Sequence, residues 1–586
     1  MNEKETHSEP VGMPNYRFGT TEAVSYELQL GETEAGIGYF SCFPADNPDI
    51  ENCIDHIRAC PNDEFMRRHL MGKISLWNAD DMAQKIQETE PNDKILLSLF
   101  CDTCLLYEKF KDLLKYFPKS ALSDLSLHSP LIYMKSAQFR DRELHQKWIG
   151  VFAANILNHR PVRPPNQTGL TPLFTQGELS FLPKESFTIV QIRDELAQKP
   201  RPDDPPRPEA KETIRRAMNR LARIRIIDGE EMRHEASLSP IALLRKWKMS
   251  ISVRNGRHNC HLSGIQTSYG RGLDLEPARA AYMMEMIERY SSFASFGEEG
   301  AIGYEKEYPL IFGTYMELSE KGIQILNPNE LALEAPYCNE SLYWIQGESV
   351  SEKGYSSILI PAQCIFLFCN LDEAKLFSGL GSTGLASGNT LAEAKVSALM
   401  EVIERHCEGV TPFNPAQCFD IETSDPKLNK LLNMYAEAGI RVQFQDLTSD
   451  MGIPCCKCFV MTQRGQIIKG TGANLNARQA LLSALTETPY PFLKGEASGY
   501  GLSDLIRVPL GNLPDYSMGN AAENLRMLEH LLAANGYRPV YVNLTRKDTG
   551  IPVVKAIIPG MEITADFGQF SRVHPRLYSN YLKMFA

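Results

Sequence analysis

Two stretches of the chain, "MMEMIERYSSF" (283–293) and "LMEVIERHCEG" (399–409), repeat the string Met-Glu-x-Ile-Glu-Arg at an offset of 116 residues. The correspondence extends upstream, where Gly272, Leu275 and Ala278 match Gly388, Leu391 and Ala394. Two amphipathic helices share apolar positions by chance. They share a leading glycine, two glutamates and an arginine far less readily. The fold must therefore accommodate two related units, each placing Glu-x-x-Glu-Arg on a helix that also packs.

At about 3.6 residues per turn, Val396, Leu399, Met400 and Ile403 form one apolar stripe over 391–407. Glu393, Glu401 and Glu404 line its flank, and Lys395 points away. Glu393 also completes Thr390-Leu-Ala-Glu393, a capping-box pattern. A third helix is predicted in "NLNARQALLSALTE" (474–487), capped by Asn476 and ending in Glu487 before Pro489. A glutamate pair on a helix is ordinarily a solvated edge. Here Glu285, Glu288, Glu393, Glu401, Glu404 and Glu487 sit on three glycine-led helices. Converging carboxylates repel, and more strongly when partly buried. Metal ions would neutralise them. Magnesium takes oxygen ligands, usually one or two carboxylates per ion with waters and phosphate oxygens. Two such ions and a polyphosphate suit this set, with Arg289 and Arg405 supplying cationic contact to phosphate. The loop "GLGSTGLASGNT" (379–390) leads into a helix N-terminus, whose N–H groups receive anions. It is neither a Walker A loop nor GxGxxG.

At 586 residues the chain suits two to four domains. Five prolines from Pro200 to Pro208 mark a linker, which predicts an N-terminal α/β region (1–196), a linker (197–209) and a larger domain (210–586). The net charge of -11 argues against a nucleic-acid surface as the main business. No run is long and apolar enough for a membrane helix. The polar N-terminus has no signal-peptide core, and 14 irregularly spaced cysteines suit reduced thiols, so a cytoplasmic setting is expected.

Coarse patterning predicts a strand at 94–100 and helices at 104–117, 142–159 and 210–224. It predicts a hairpin over 459–470 turning near Gly465, and strand–turn–strand over 540–560. "SSILIPAQCIFLFC" reads as two buried strands. Cys101-x-x-Cys104, set between the first strand and helix, has the spacing of a redox pair, but two buried cysteines is the favoured reading. Cys455, Cys456 and Cys458, and the His258, Cys260, His261 group, read as strand positions rather than metal ligands.

"GLASGNTLAEAKVSALMEVIERHCEG", "GRGLDLEPARAAYMMEMIERYSS" and "LTRKDTGIPVVKAIIPG" together resemble the YcaO family over residues 206–586. The resemblance implies an α/β (α+β) YcaO-like domain of repeated helix/sheet units, preceded by a smaller mixed α/β domain. It implies ATP and magnesium as cofactors, with Glu285, Glu288, Glu393, Glu401, Glu404 and Glu487 as metal ligands. Nucleotide contacts map to Ser387, Asn389 and Arg405, and more loosely to Arg207 and Thr213. The implied reaction activates a backbone amide of a peptide or protein by phosphorylating its oxygen, giving an azoline or a thioamide. The implied alternative is a non-catalytic accessory to another modifying enzyme, such as a ribosomal-protein methylthiolation factor. The expected partners are a peptide or protein substrate, a sulfur donor or modifying enzyme, and a second copy in a homodimer. The chain departs from the family where an arginine often stands four residues before Glu487, here Ser483, so phosphate contact would shift to Lys494 or Arg478. Its terminal "RVHPRLYSNYLKMFA" lacks a PxPxP tail, which favours a thioamide-forming or accessory member.

Overall fold

The structure, a computed structural model, describes residues 23–31, 39–180, 182, 186–197, 207–351, 354–492, 494–561 and 566–586. Most of the proline-rich linker lies outside the described residues. The chain is mixed α/β, with helices packed on three sheets.

The first sheet is built around the long hairpin of Ile241–Asn255 and His258–Gly272. The strand Val24–Gly31 adds to it in parallel, with Val24 opposite Cys260, and Tyr39–Pro44 pairs with that strand to form the edge. N-terminal residues are thus built into a sheet of the larger region. The second sheet runs Gly354–Pro361, Leu342–Ser351, Val540–Asn543, Val553–Ile557, Leu385–Ser387. The third begins with Ile467–Ala473 and Cys455–Met461. One apolar core runs from Leu70 and Phe100 in the N-terminal helices through Trp247 and Met286 to Trp344.

The three acidic helices are present as Leu275–Ser292, Leu391–Val410 and Ala477–Glu487. Each follows a strand and lies on it: His258–Gly272, Leu385–Ser387 and Ile467–Ala473. Glycine makes the approach close enough. A Cβ on Gly270 would strike the Ala278 carbonyl, and one on Gly472 would stand 2.8 Å from both Ser483 Cβ and Ala484 N. Leu399 and Ile403 are fully buried and Met400 nearly so, as the stripe requires. Lys395 is also buried, with its ammonium 3.7 Å from the centre of the Tyr355 ring and 3.6 Å from Glu348.

The hairpin turns at Gly465 in the left-handed region (φ 77°), and the helix Ala210–Ile224 and the 540–560 pair of strands form where expected. Three readings are corrected. Residues 94–100 are the start of a helix, Lys94–Leu106, because Asp93 caps it by accepting from the Leu96 N–H. The helix expected at 104–117 is instead a 3-10 segment, Glu108–Tyr116, after a break at Tyr107. The second strand expected in "SSILIPAQCIFLFC" is a 3-10 turn, Ala362–Cys364, following Pro361. Cys101 and Cys104 therefore lie on one helix, both buried, and burial pushes both thiols up.

Candidate active site

The three units close on one another through their glutamates. Glu285, on the first helix, accepts from the Tyr269 N–H of its own strand at 2.8 Å. Glu288, one turn later, is supported by the backbone N–H of Ser387, in the second unit's strand. Glu401 is supported by the Gly384 N–H, and Glu404 accepts from Ala473 N–H in the third unit's strand at 2.9 Å. Glu487, at the end of the third helix, returns to the field of Arg271 in the first unit's strand. Each helix thus carries a carboxylate to the next unit's strand, and the repeat forms a ring.

Two arginines stand among these groups. Arg289 Nε lies 3.7 Å from both Glu285 Oε1 and Glu288 Oε1. Arg405 holds Glu404 Oε1 and Glu408 Oε2 at 3.0 Å each, and donates to Thr471 Oγ1 at 3.3 Å. Glu408 is anchored in turn by Lys469 at 2.5 Å. These cations do not neutralise the set. Burial pushes the carboxyls of Glu288 and Glu404 up despite the adjacent arginines, and neighbouring glutamates push further. Glu285, Glu401 and Glu487 are raised by the same burial. Lys555, buried in the strand Val553–Ile557, faces Glu401 and is pushed down to about 8 by burial, with Glu401 opposing.

The donor set suits a magnesium-bound phosphate group. It is all oxygen, under-neutralised, and interleaved with guanidinium groups. Among the described residues no group of three or more His, Cys, Asp or Glu side chains stands so that it could hold a metal ion by itself. A magnesium ion held here would take part of its coordination shell from phosphate oxygens and waters.

Glu393 is not part of this cluster. It lies near the start of its helix, eleven residues or about 16 Å of helix before Glu404. There it accepts from the Asn389 N–H at 2.8 Å, while its own N–H caps onto Thr390 at 3.1 Å. Thr213 donates to Asn389 Oδ1 at 3.1 Å, and the exposed Arg207 stands 3.5 Å from Glu393. Ser387 lies between the two groups, its hydroxyl donating to the Met284 carbonyl at 2.9 Å. Arg207, Thr213, Asn389 and Glu393 thus gather at one end of the second helix, with Arg405 and the remaining glutamates at the other.

Lys494 and Arg478 are not at the site: Lys494 is 3.6 Å from Glu235 and Arg478 pairs with Asp425 at 2.5 Å. Arg271 takes the cationic place opposite Glu487. Sequence reasoning missed it, along with Lys555, Lys469 and Glu408. A signal existed for Lys555, a lone lysine in an apolar strand, and for Glu408, one turn beyond Glu404. Arg271 and Lys469 became relevant only through the order in which the units meet.

The model of the YcaO family, described as YcaO cyclodehydratase, ATP- and Mg2+-binding, matches residues 269–489 and 492–562. An uncharacterized protein of Methanothermobacter thermautotrophicus is 27% identical over 329 residues, which is 50% of this chain and 81% of that protein. An uncharacterized protein in the tfuA 3' region of Rhizobium leguminosarum bv. trifolii is 23% identical over 249 residues, 39% of this chain and 55% of its own length. Among solved structures, a heterocyclase in complex with substrate and cofactor is 17% identical with a TM-score of 0.50, covering 67% of this chain. The chain spans 58% of that heterocyclase, and the likeness is one of fold. The family match runs through all three glutamate-bearing helices and the strand that carries Lys555, and the chain belongs to the YcaO family, with ATP and Mg2+ as its cofactors.

Proposed function

We propose that this enzyme of the cyclodehydratase class uses ATP to phosphorylate the oxygen of a peptide or protein backbone amide, yielding an azoline or a thioamide. The observation that carries the reading is the ring of under-neutralised glutamates interleaved with Arg289 and Arg405. Glu285, Glu288, Glu401, Glu404 and Glu487 would hold the metal ions. Glu393 stands with Arg207, Thr213 and Asn389 at the other end of the same helix, which suits a ligand running along it. When bound, ATP supplies the phosphoryl group that makes the amide oxygen a good leaving group, and magnesium neutralises the triphosphate.

The chain's own part is positioning and charge compensation. Backbone N–H groups fix one oxygen each of Glu285 and Glu404. Arg289 and Arg405, each beside two carboxylates, can exchange a carboxylate for a phosphate oxygen as ions enter. Lys555 balances Glu401 from behind. A Cys, Ser or Thr side chain of the substrate, or sulfide, adds to the amide carbon. The phosphorylated oxygen then departs as phosphate.

The test is ATP hydrolysis by the purified chain. Slow, magnesium-dependent turnover is expected, abolished by chelation and reduced at least about 100-fold in Glu404→Gln and Arg405→Ala, with both variants folded. Parent-like hydrolysis in both variants would show that the site is elsewhere. Nucleotide binding without turnover would assign the chain an accessory role. With a substrate in hand, mass separates the products: loss of one water for an azoline, exchange of oxygen for sulfur for a thioamide.

A further inference from the structure

A cleft of about 1470 Å3 opens beside the glutamate ring, and Glu285, Arg289 and Phe293 form part of its wall. The three are spaced by four along the helix Leu275–Ser292 and the residue that ends it, so they share one face. Glu285 and Arg289 belong to the ring; Phe293 does not. Its surroundings are aromatic. The Phe368 ring lies parallel to it at 5.8 Å, and Trp247 meets it edge-on at 6.2 Å. Phe366 and Phe368 line the cleft with it. The segment that carries these two rings is tied to the helix end, where the Leu367 N–H donates to the Ser292 carbonyl at 3.0 Å. Phe368 then stands in the left-handed region at φ 52°. A bulky residue rarely adopts that conformation, and such strain clusters where a ligand is clamped. Here it sets a half-buried ring on the cleft wall, against Phe293.

One polar group is built into the same wall. Gln266 stands opposite Trp247 in the long hairpin and lines the cleft. It is 6% exposed, and its Nε2 has no hydrogen-bond partner. A buried amide donor without a partner is uncommon, and this one suits a carbonyl oxygen of a ligand. An apolar pocket with one placed donor selects a side chain and fixes the backbone attached to it. Phe293 lies about 6 Å of helix from Arg289, which is about two residues of extended chain. The nucleotide side is at the other end of the same helix. Ser387, beside Asn389, donates to the Met284 carbonyl, nine residues or about 13 Å of helix before Phe293.

We propose that this wall is a specificity pocket: an aromatic side chain of the peptide substrate, within about two residues of the activated amide, seats against Phe368 and Phe293 while Gln266 donates to the backbone carbonyl beside it. This rests on the amide-activating reading above. It goes further in naming the class of residue that marks the substrate and the side chains that read it.

The probes are N-acetyl-phenylalanine amide, N-acetyl-leucine amide and N-acetyl-glycine amide, titrated into the full chain and followed by ligand-observed NMR. The phenylalanine amide should bind about tenfold or more tightly than the other two, with or without ATP and Mg2+. F368L keeps an apolar side chain and removes the ring, and should bind the phenylalanine amide no better than the leucine amide. F368G removes the ring and relieves the backbone, since glycine accepts a positive φ. It should lose the preference while circular dichroism reports a folded chain. Q266L should weaken the phenylalanine amide about fivefold or more. The proposal is overturned if the three amides bind alike or not at all, if F368L and F368G keep the preference, or if Q266L binds like the wild type. Displacement of the phenylalanine amide by ATP would overturn it too, by assigning the pocket to the nucleotide base. Failure of the wild type to bind ATP with Mg2+ would overturn the nucleotide reading instead, whatever the three amides do.

Discussion

Arg405 sits between Glu404 and Glu408 at 3.0 Å from each, but the two carboxylates differ in role. Burial works against the charge of Glu408, yet Lys469 and Arg405 outweigh it and hold its carboxyl down to about 2. It stays ionised and acts as the fixed anchor. Glu404, without a lysine of its own, is raised. Behind this pair, burial and Lys469 push the Lys457 ammonium down to about 7, so the anchor backs onto a poorly solvated region. Replacing Glu408 with Gln keeps the shape and removes the charge that orients the guanidinium, leaving Arg405 and Lys469 under-paired. On the proposed reading Glu408 is a positioning residue. E408Q should raise KM for ATP about tenfold, near 1.4 kcal/mol, with a smaller change in kcat. An unchanged KM, with the variant folded, would mean that Arg405 needs no such anchor.

At the scale of elements, the site depends on how closely each helix lies on its strand. Gly472 of Ile467–Ala473 faces the third helix with no room for a methyl group, since a Cβ would stand 2.8 Å from Ser483 Cβ and Ala484 N. G472A should cost about 1–3 kcal/mol through overpacking and displace the helix end that carries Glu487. Weaker Mg2+-dependent nucleotide binding should follow. Gly511, with open space around its Cα, serves as the control, and G511A should change neither quantity. Equal unfolding midpoints for G472A and wild type would refute the close-packing argument. Much of this level was legible in the sequence: the repeated Glu-x-x-Glu-Arg, the leading glycines and Glu487 named the three helices. The strand each glutamate reaches was not legible, because Ser387, Ala473 and Arg271 become partners only once the units are arranged in space. The strand reading of 94–100 failed for a different reason. A short apolar run has no period that separates a strand from a buried helix, and the deciding group was the cap, Asp93. The turn at Ala362–Cys364 likewise follows Pro361, which ends the strand before it.

At the scale of the whole molecule, the N-terminal region is joined to the family domain by buried polar contacts as well as by the shared sheet. Asp63 is their hub. It accepts from Tyr26 Oη at 2.6 Å, from Asn370 at 3.0 Å and from the N–H groups of Phe65 and Met66, and it lies 2.9 Å from His56 Nε2. Around it, Asp372 receives Asn62 at 2.8 Å and Arg257 at 2.6 Å. Burial of Asp63 opposes its charge, but the His56 hydrogen bond, the fields of His258 and His56 and the Tyr26 hydroxyl outweigh burial and hold the carboxyl far below its ordinary value. A depressed carboxyl stabilises the fold above the unfolded value of about 3.9 and loses that contribution as pH falls further. D63N should therefore be destabilised at neutral pH by about 3 kcal/mol, given about 1.5–3 for each hydrogen bond to a charged group and the acceptor that Asn retains. The gap between D63N and wild type should narrow as pH falls below about 4. Urea unfolding of both proteins across that range is the check. A gap that stays constant into acid would mean that Asp63 acts as a neutral spacer, and that its charge does not help join the two regions.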